Sequence, residues 1–168
     1  MQLTATHRFA RSFDDVWAVF VDPEAHVARH EHLGNHDVHI VSATPDATGL
    51  DIVVQSKVEG EVPAVAKKFI KPVNTVTTTD RWELHADGTG TGHSTIDIKG
   101  APVTTKAVAT LVPPADGDDP DSCTYTIVLD VSVNVPLVGG RVAGVLKPHL
   151  KSQLEAEFAA TEAWLAAH

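Results

Sequence analysis

Two residues that can transfer protons, an aspartate and a histidine, lie on strand faces that are mainly apolar. Asp80 shares its predicted strand face with Trp82, and His7 shares its own with Phe9. A charged or polar group that faces an apolar interior is costly unless it is paired or hydrogen-bonded. Such residues are either satisfied core groups or the few orienting groups of a mainly apolar pocket. Within hydrogen-bond reach of each other, Asp80 and His7 would be a candidate catalytic acid and base.

Histidines are concentrated in one short part of the chain. Five of the ten histidines fall within it: His26, His30, His32, His36 and His39. His26 and His30 are four positions apart, which places both on one face of a helix, a spacing used by zinc sites. No third ligand follows in a zinc-protease pattern, and a His-rich connector exposed to solvent explains the same residues. We therefore predict no bound metal, and no cofactor.

Residues 62–70 change from the period of a strand to that of a helix. Their apolar positions are spaced i, i+3, i+4, i+7 and i+8, which predicts a short amphipathic helix. Its basic residues are Lys67, Lys68 and Lys71. The segment is either an ordinary surface helix or a lid in which Phe69 and Ile70 close a pocket mouth. In the second case its lysines would meet an anionic headgroup or a membrane surface.

Alternation and turn residues predict the elements that must position these side chains. Residues 2–9 alternate as a strand, and helix-capping signals follow at Ser12 and at Asp22-Pro23. Further strands are predicted over residues 38–43, 50–58, 73–85, 94–99, 103–112 and 123–135. The connectors have hairpin lengths and turn residues, so the sheet is predicted to be mostly antiparallel.

The last predicted element, residues 137–167, is one long helix with an internal change of phase. Val142 and Leu146 lie on one face, whereas the face that includes Phe158 is centred roughly 130° away. Pro148 lies at the junction and cannot donate to the preceding turn. We therefore predict a kink there, with the two halves packing on different partners.

Composition bounds the class of protein. With 168 residues, one domain over 1–168 is expected, and there is enough chain for a substantial core. The net charge of −9 argues against nucleic acid, because phosphate contacts need clustered Lys and Arg. We see no signal-peptide pattern and no apolar run near the ~20 residues that a membrane span needs. The expected location is cytoplasmic.

The order strand, two helices, strands and long helix resembles the START-like, or Bet v 1-like, helix-grip superfamily (SRPBCC). Residues 7–24, with Ser12, Trp17 and Asp22-Pro23, resemble the strand-to-helix signature of many polyketide-cyclase-like members. Residues 62–69 and 139–148 resemble an uncharacterised bacterial branch. The resemblance implies an α+β fold in which a curved antiparallel sheet of six or seven strands wraps around a long kinked C-terminal helix.

Members of this superfamily include lipid carriers, hormone-binding proteins, cyclases and hydratases, so the fold does not choose among them. We predict binding or carriage of a hydrophobic small molecule, lipid-like or polyketide-like, in a cavity between sheet and helix. The predicted ligand contacts are Ile52, Val54, Phe69, Ile70, Asp80, Trp82, Leu84, Ile127, Leu129, Val142 and Leu146. The lysines near the mouth would favour an anionic ligand and allow transient membrane contact.

Two alternatives belong to other function classes. A cofactor-free cyclase or hydratase would use Asp80 and His7 for proton transfer. A regulatory or interaction module would have no physiological small ligand. A cavity without paired acid and base groups favours carriage, paired groups inside it favour catalysis, and a filled interior favours the interaction module.

Overall fold

A computed structural model describes residues 1–168 and contains one seven-stranded antiparallel sheet and three helices. The strands are β1 (Gln2–Phe9), β2 (His36–Pro45), β3 (Gly49–Glu59), β4 (Val73–Leu84), β5 (Gly90–Ile98), β6 (Val103–Val112) and β7 (Cys123–Val133). The helices are α1 (Phe13–Phe20), α2 (Pro23–His32) and α3 (Gly139–Ala167). The strand order is β1-β7-β6-β5-β4-β3-β2. The predicted α+β helix-grip fold is confirmed.

Both short helices begin at the predicted caps. The Ser12 hydroxyl accepts a hydrogen bond from the Asp15 amide at 3.1 Å. The Asp22 carboxylate accepts from the Glu24 amide at 2.9 Å, and Pro23 occupies the first helical position. These bonds satisfy amides that have no partner within the helix, so each helix starts at a fixed residue directly after a strand or a helix.

Antiparallel register places the inward side chains of the sheet in rows, because residues directly opposite each other share a face. One row runs through Ile52, Asp80, Ser94, Ala107 and Leu129. The adjacent row runs through Leu50, Trp82, Gly92, Ala109 and Ile127. Asp80 is therefore held in the middle of an otherwise mainly apolar, inward-facing surface.

Strand β5 starts earlier than the sequence pattern predicted, because two glycines first assigned to a connector belong to it. A Cβ added at Gly92 would lie 2.6 Å from the Trp82 indole, and one at Gly90 would lie 2.5 Å from the Trp17 indole. Glycine is therefore needed at both positions for the two indoles to cross the strand closely. Because glycine has no side chain, a prediction based on alternation could not recognise this part of the strand.

The main hydrophobic core lies between the sheet and one side formed by α1 and the second half of α3. The Phe20 ring of α1 stacks on Trp82 with centroids 4.3 Å apart and on Tyr125 with centroids 4.8 Å apart. A separate small cluster joins Leu50, Ile52 and Val54 on β3. The aromatic stack thus fixes α1, and α2 directly after it, over the middle of the sheet.

The predicted helix over residues 62–70 is wrong, since residues 64–69 form turns. The segment belongs to a loop that is closed at its base by a hydrogen bond from the Gly60 amide to the Pro72 carbonyl. Only Ala66 within residues 62–70 is fully buried. A helix of this length is marginally stable unless one of its faces is packed, which explains why no helix forms here.

The last helix begins at Gly139 rather than at residue 137, where Leu137 adopts a positive φ of 68°. It is continuous to Ala167 with Pro148 inside it, and the kink at Pro148 stays a prediction. None of the three helices has the length and apolar character needed to cross a membrane.

Candidate ligand-binding site

A cavity of about 130 Å³ lies between α2, α3 and the inward face of the sheet. Its polar lining consists of His26, Arg29, His30, Thr78, Asp80, Ser94 and Glu157. Its apolar and aromatic lining consists of Trp82, Ile96, Ala107, Ala109, Tyr125, Ile127, Leu129 and Leu154. Mainly apolar walls with a few convergent polar groups are the usual composition of a small-molecule site.

Asp80 is the buried carboxylate of this site. Its residue is only 7% exposed, and its Oδ1 atom has no hydrogen-bond partner within the protein. Burial raises the pKa of Asp80 to about 6, an effect that the nearby Ser94 hydroxyl and Arg29 guanidinium partly oppose. At neutral pH the side chain is therefore a largely ionised acceptor, although its proton is easily regained.

His26 faces Asp80 from α2 and is almost fully buried. Its Nε2 lies 2.8 Å from the Phe20 carbonyl oxygen, so Nε2 must carry a hydrogen and donate it. Burial and the neighbouring Arg29 lower the pKa of His26 to about 3, so the ring is neutral and Nδ1 carries a lone pair. Nδ1 of His26 lies 3.7 Å from Oδ2 of Asp80. Two acceptors face each other, which is favourable only if a proton or a donor is shared between them.

Arg29 and Glu157 form an ion pair beside this histidine. The Arg29 guanidinium donates to Oε2 of Glu157 at 2.9 Å, and it lies 5.0 Å from the centre of the Phe20 ring. Burial alone would lower the pKa of Arg29, but the Glu157 carboxylate outweighs it and the pKa is raised. The pair holds α2 against α3 at the edge of the cavity.

Three buried polar atoms around the cavity have no partner within the protein. They are Oδ1 of Asp80, Nε1 of Trp82 and Nε of Arg29. In folded proteins nearly all buried polar atoms are hydrogen-bonded. The residues that line the cavity therefore carry one acceptor and two donors that have no protein partner and are themselves almost fully buried.

Of the residues predicted to contact a ligand, Asp80, Trp82, Ile127 and Leu129 line this cavity. Seven others lie outside its lining: Ile52, Val54, Phe69, Ile70, Leu84, Val142 and Leu146. Ile52 and Val54 are buried in the separate cluster on β3, and Leu84 is 38% exposed at the end of β4. Ile52, Val54 and Leu84 share strand faces with the cavity residues, but they lie further along or across the sheet.

Val142, Leu146, Phe69 and Ile70 lie on α3 and on the loop after β3. Val142 is fully buried, whereas Leu146 is half-buried. Phe69 and Ile70 are also half-buried, and Ile70 packs against the main core. The basic side chains of the same loop, Lys67, Lys68 and Lys71, are exposed.

His7 is not brought to Asp80. Its Nε2 lies 2.9 Å from Oε1 of Glu162, and its ring stacks on Phe158 with centroids 5.0 Å apart. The imidazole beside Asp80 belongs to His26 instead. Sequence reasoning treated His26 only as a possible metal ligand. The available signal was its three-residue spacing from Arg29, which placed two polar side chains on the face that α2 buries.

The side chains of the histidine-rich segment contact different partners in the structure. The His30 ring is hydrogen-bonded to the Asn35 side chain, and the His36 ring pairs with Glu59. The His39 ring contacts the Asp37 carbonyl oxygen. The structure assembles no group of three or more side chains that could hold a metal ion.

A larger groove of about 370 Å³ lies on the opposite, outward side of the sheet. Its Arg81 guanidinium is already paired with Asp46 at 2.6 Å and with Asp51 at 3.3 Å. The groove is open to solvent and lined largely by outward strand residues. All three residues with buried, unpartnered atoms line the smaller cavity, and only Asp80 among them also borders the groove, which is why we regard the cavity as the candidate site.

Comparisons with known proteins support the fold. The sequence matches the family model described as "Protein of unknown function (DUF2505)" over residues 4–165. No curated protein matches it.

Three solved structures illustrate the fold's relatives. The crystal structure of TTHA0849 from Thermus thermophilus is similar with a TM-score of 0.68 at 11% identity, covering 99% of this chain and 98% of that one. A START superfamily protein from Mycobacterium smegmatis has a TM-score of 0.63 at 16% identity, covering 97% and 98%. Norcoclaurine synthase from Thalictrum flavum has a TM-score of 0.57 at 17% identity, covering 100% and 87%. At these identities the likeness shows a START/Bet v 1-like fold.

Proposed function

This chain belongs to the DUF2505 family of proteins of unknown function. For this member of the family we propose binding of a small, mainly apolar molecule. The binding site is the cavity under α2 and α3. The observation that carries the proposal is the presence of unpartnered polar atoms, Oδ1 of Asp80 and Nε1 of Trp82, in an otherwise apolar lining. A bound molecule with one polar group would satisfy these atoms while its apolar body fills the space.

The volume limits the size of that molecule. A cavity of ~150 Å³ holds one benzene ring, whereas pockets for drug-sized ligands measure ~300–1,000 Å³. The cavity of about 130 Å³ therefore fits a single small ring or a short chain in this conformation. The lipid-like or polyketide-like ligand expected from the sequence would need a wider space. In the first half of α3 only Val142 is fully buried, so a widening there would disrupt little packing.

The fold is compatible with both binding and catalysis, because its solved relatives include a START superfamily protein and a norcoclaurine synthase. The cavity chemistry of this chain must therefore decide between them. Buried apolar walls contribute affinity of roughly 25 cal/mol per Å² of apolar ligand surface. Binding in such a cavity needs only one or two directed hydrogen bonds to be selective.

The test is a thermal-shift and calorimetric titration of the purified protein with single-ring aromatic compounds. Binding should raise Tm, because a ligand that binds only the folded state stabilises it. Ala107→Leu, which adds a larger side chain to the cavity lining, should remove the shift. Ala86→Leu, the same change in an exposed turn, should keep it. A folded wild-type protein that binds none of these compounds would overturn the proposal and favour an interaction module.

Catalysis is the second candidate, and the Asp80–His26 pair favours it. An acid with a pKa raised to about 6 next to a neutral imidazole is suited to proton transfer near neutral pH. This version replaces His7 by His26 in the cyclase or hydratase hypothesis. If mass spectrometry shows conversion of a bound compound by wild type and binding without conversion by Asp80→Asn, the protein is an enzyme. Recovery of only the unchanged compound supports carriage.

A further inference from the structure

We infer that the cavity selects a small ring compound bearing a neutral hydroxyl group, a phenol or a cyclic alcohol, with that hydroxyl held between Asp80 and Trp82. The inference rests on the proposed function, because it specifies the ligand of the same cavity. It stands on two buried atoms without a protein partner, Oδ1 of Asp80 and Nε1 of Trp82.

The two side chains are neighbours on one strand face. Asp80 and Trp82 are two residues apart on β4, and both line the cavity. The Trp82 indole is close enough to help lower the pKa of Asp80, yet neither Oδ1 nor Nε1 has a partner of hydrogen-bond geometry. An acceptor and a donor thus lie side by side, and neither is satisfied by a hydrogen bond of good geometry.

A hydroxyl group matches this pair atom for atom. It donates one hydrogen, which Oδ1 of Asp80 accepts, and it accepts up to two, one of which Nε1 of Trp82 supplies. Nε of Arg29, the third unpartnered atom, is a further donor on the same cavity. A ketone or ether oxygen only accepts, so it could take the Trp82 hydrogen but would leave Oδ1 of Asp80 without a donor.

An anionic group fits the same surroundings poorly, and a cationic group satisfies only the acceptors among them. A ligand carboxylate would meet the carboxylates of Asp80 and Glu157 and the lone pair of His26. A ligand ammonium could donate to Asp80, but it would also lie near the Arg29 guanidinium and could not accept the hydrogen of Trp82 Nε1. Because Arg29 and Glu157 already form an ion pair, the cavity has no unpaired basic group for an anion.

The remaining walls favour a compact ring. Ile127, Leu129 and Leu154 supply aliphatic surface, and the Trp82 and Tyr125 rings supply aromatic surface. With a volume of about 130 Å³, the cavity accommodates one ring and little more. The selected class is therefore a single-ring alcohol or phenol.

The experiment compares phenol with toluene, which have the same number of heavy atoms and differ in the hydroxyl group. Calorimetry or amide-shift titration would give the two dissociation constants. Phenol should bind wild type about tenfold more tightly than toluene, the difference expected from about one satisfied buried hydrogen bond. In Asp80→Leu, which keeps the side-chain shape, that ratio should fall to about one. In Trp82→Phe, which removes only the donor, it should fall to an intermediate value.

Asp97→Leu is the matched control, because Asp97 is exposed on β5 and the ratio should be unchanged there. If toluene binds wild type as tightly as phenol, the inference fails and the proposed function stands. If neither compound binds, both fail. Tighter binding of benzoate or benzylamine than of phenol would also overturn the inference. If Asp80→Leu does not fold, the wild-type ratio and Asp80→Asn decide the outcome: Asn keeps only a neutral acceptor oxygen, so the ratio should fall to an intermediate value.

Discussion

Nδ1 of His26 lies 3.7 Å from Oδ2 of Asp80, and both side chains are buried beneath α2. The Phe20 carbonyl holds the Nε2 hydrogen of His26, so the atom that faces Asp80 is an acceptor. The charged or titratable groups around the pair are Arg29 and His30 on α2, Glu157 on α3 and Tyr125 on β7. The pair is consequently sensitive to pH, to ligand donors and to substitution of either member.

Asp80 should make the protein less stable as pH rises. Its pKa is about 6 in the folded protein against an ordinary value of 3.8. The stability contributed by the raised pKa is therefore fully present below pH 3.8 and is lost as pH rises through about 6. Over this range the free energy of unfolding falls by up to about 3 kcal/mol. Asp80→Asn should gain stability relative to wild type at about pH 7.5 and lose that advantage near pH 4.5.

Urea unfolding at the two pH values measures this effect. Asp97→Asn, an exposed carboxylate on β5, is the control and should show no pH-dependent difference from wild type. A stability difference between Asp80→Asn and wild type that is the same at both pH values would show that Asp80 titrates normally.

His26 should have the opposite dependence. Its pKa is lowered from 6.5 to about 3 by burial and by Arg29, so the neutral ring contributes stability above the upper value. That contribution is lost as pH falls towards the lower value, because the unfolded chain takes up a proton that the folded one refuses. His26→Gln keeps a donor for the Phe20 carbonyl and should lose less stability than wild type between about pH 6.5 and 4.5. His93→Gln, at an exposed position, should follow wild type throughout.

The Arg29–Glu157 pair should be worth more than surface ion pairs. Arg29 is mostly buried, so Glu157→Gln leaves a poorly paired buried cation and should cost ~1–3 kcal/mol of unfolding free energy. The comparison is Asp37→Asn, which breaks an exposed pair with Lys57. The cost of Glu157→Gln in chemical denaturation should clearly exceed that of Asp37→Asn. Equal costs would mean that solvent screens both pairs alike.

The two halves of α3 should differ in their contribution to stability. Phe158 stacks on His7 and meets Tyr125 edge to face within the main core, so Phe158→Ala should cost ~3–5 kcal/mol. Leu146 is half-buried in the first half of the helix, and Leu146→Ala should cost less. Thermal and urea unfolding of the two variants would check this. Similar large losses would show that the first half is as tightly packed as the second.

The exposed lysines of the loop after β3 should affect contact with an anionic membrane and not the stability of the protein. Changing Lys67, Lys68 and Lys71 together to glutamine should leave Tm unchanged, because all three are exposed. If they touch an anionic membrane, the triple variant should lose salt-sensitive binding to phosphatidylserine vesicles. Lys99→Gln, an exposed lysine outside this loop, is the control. Wild-type binding that does not depend on salt would contradict this role.

The amino-acid sequence by itself determined the elements whose signals are local. Alternation in β7 placed Tyr125 and Ile127 on the buried face, and the structure confirms it. The caps at Ser12 and Asp22 likewise located both short helices. Strand alternation and helix caps depend on neighbours within a few residues, so they can be recognised without knowing the fold.

Only the tertiary structure decided which side chains meet. Phe20 stacks on Trp82, which positions α2 so that His26 rather than His7 faces Asp80. The turns in residues 64–69, where a helix was predicted, also reflect packing, because the apolar side chains of this segment are for the most part not buried against the rest of the protein. Contacts between residues far apart in the chain depend on how elements pack, and local propensity contains no information about that packing.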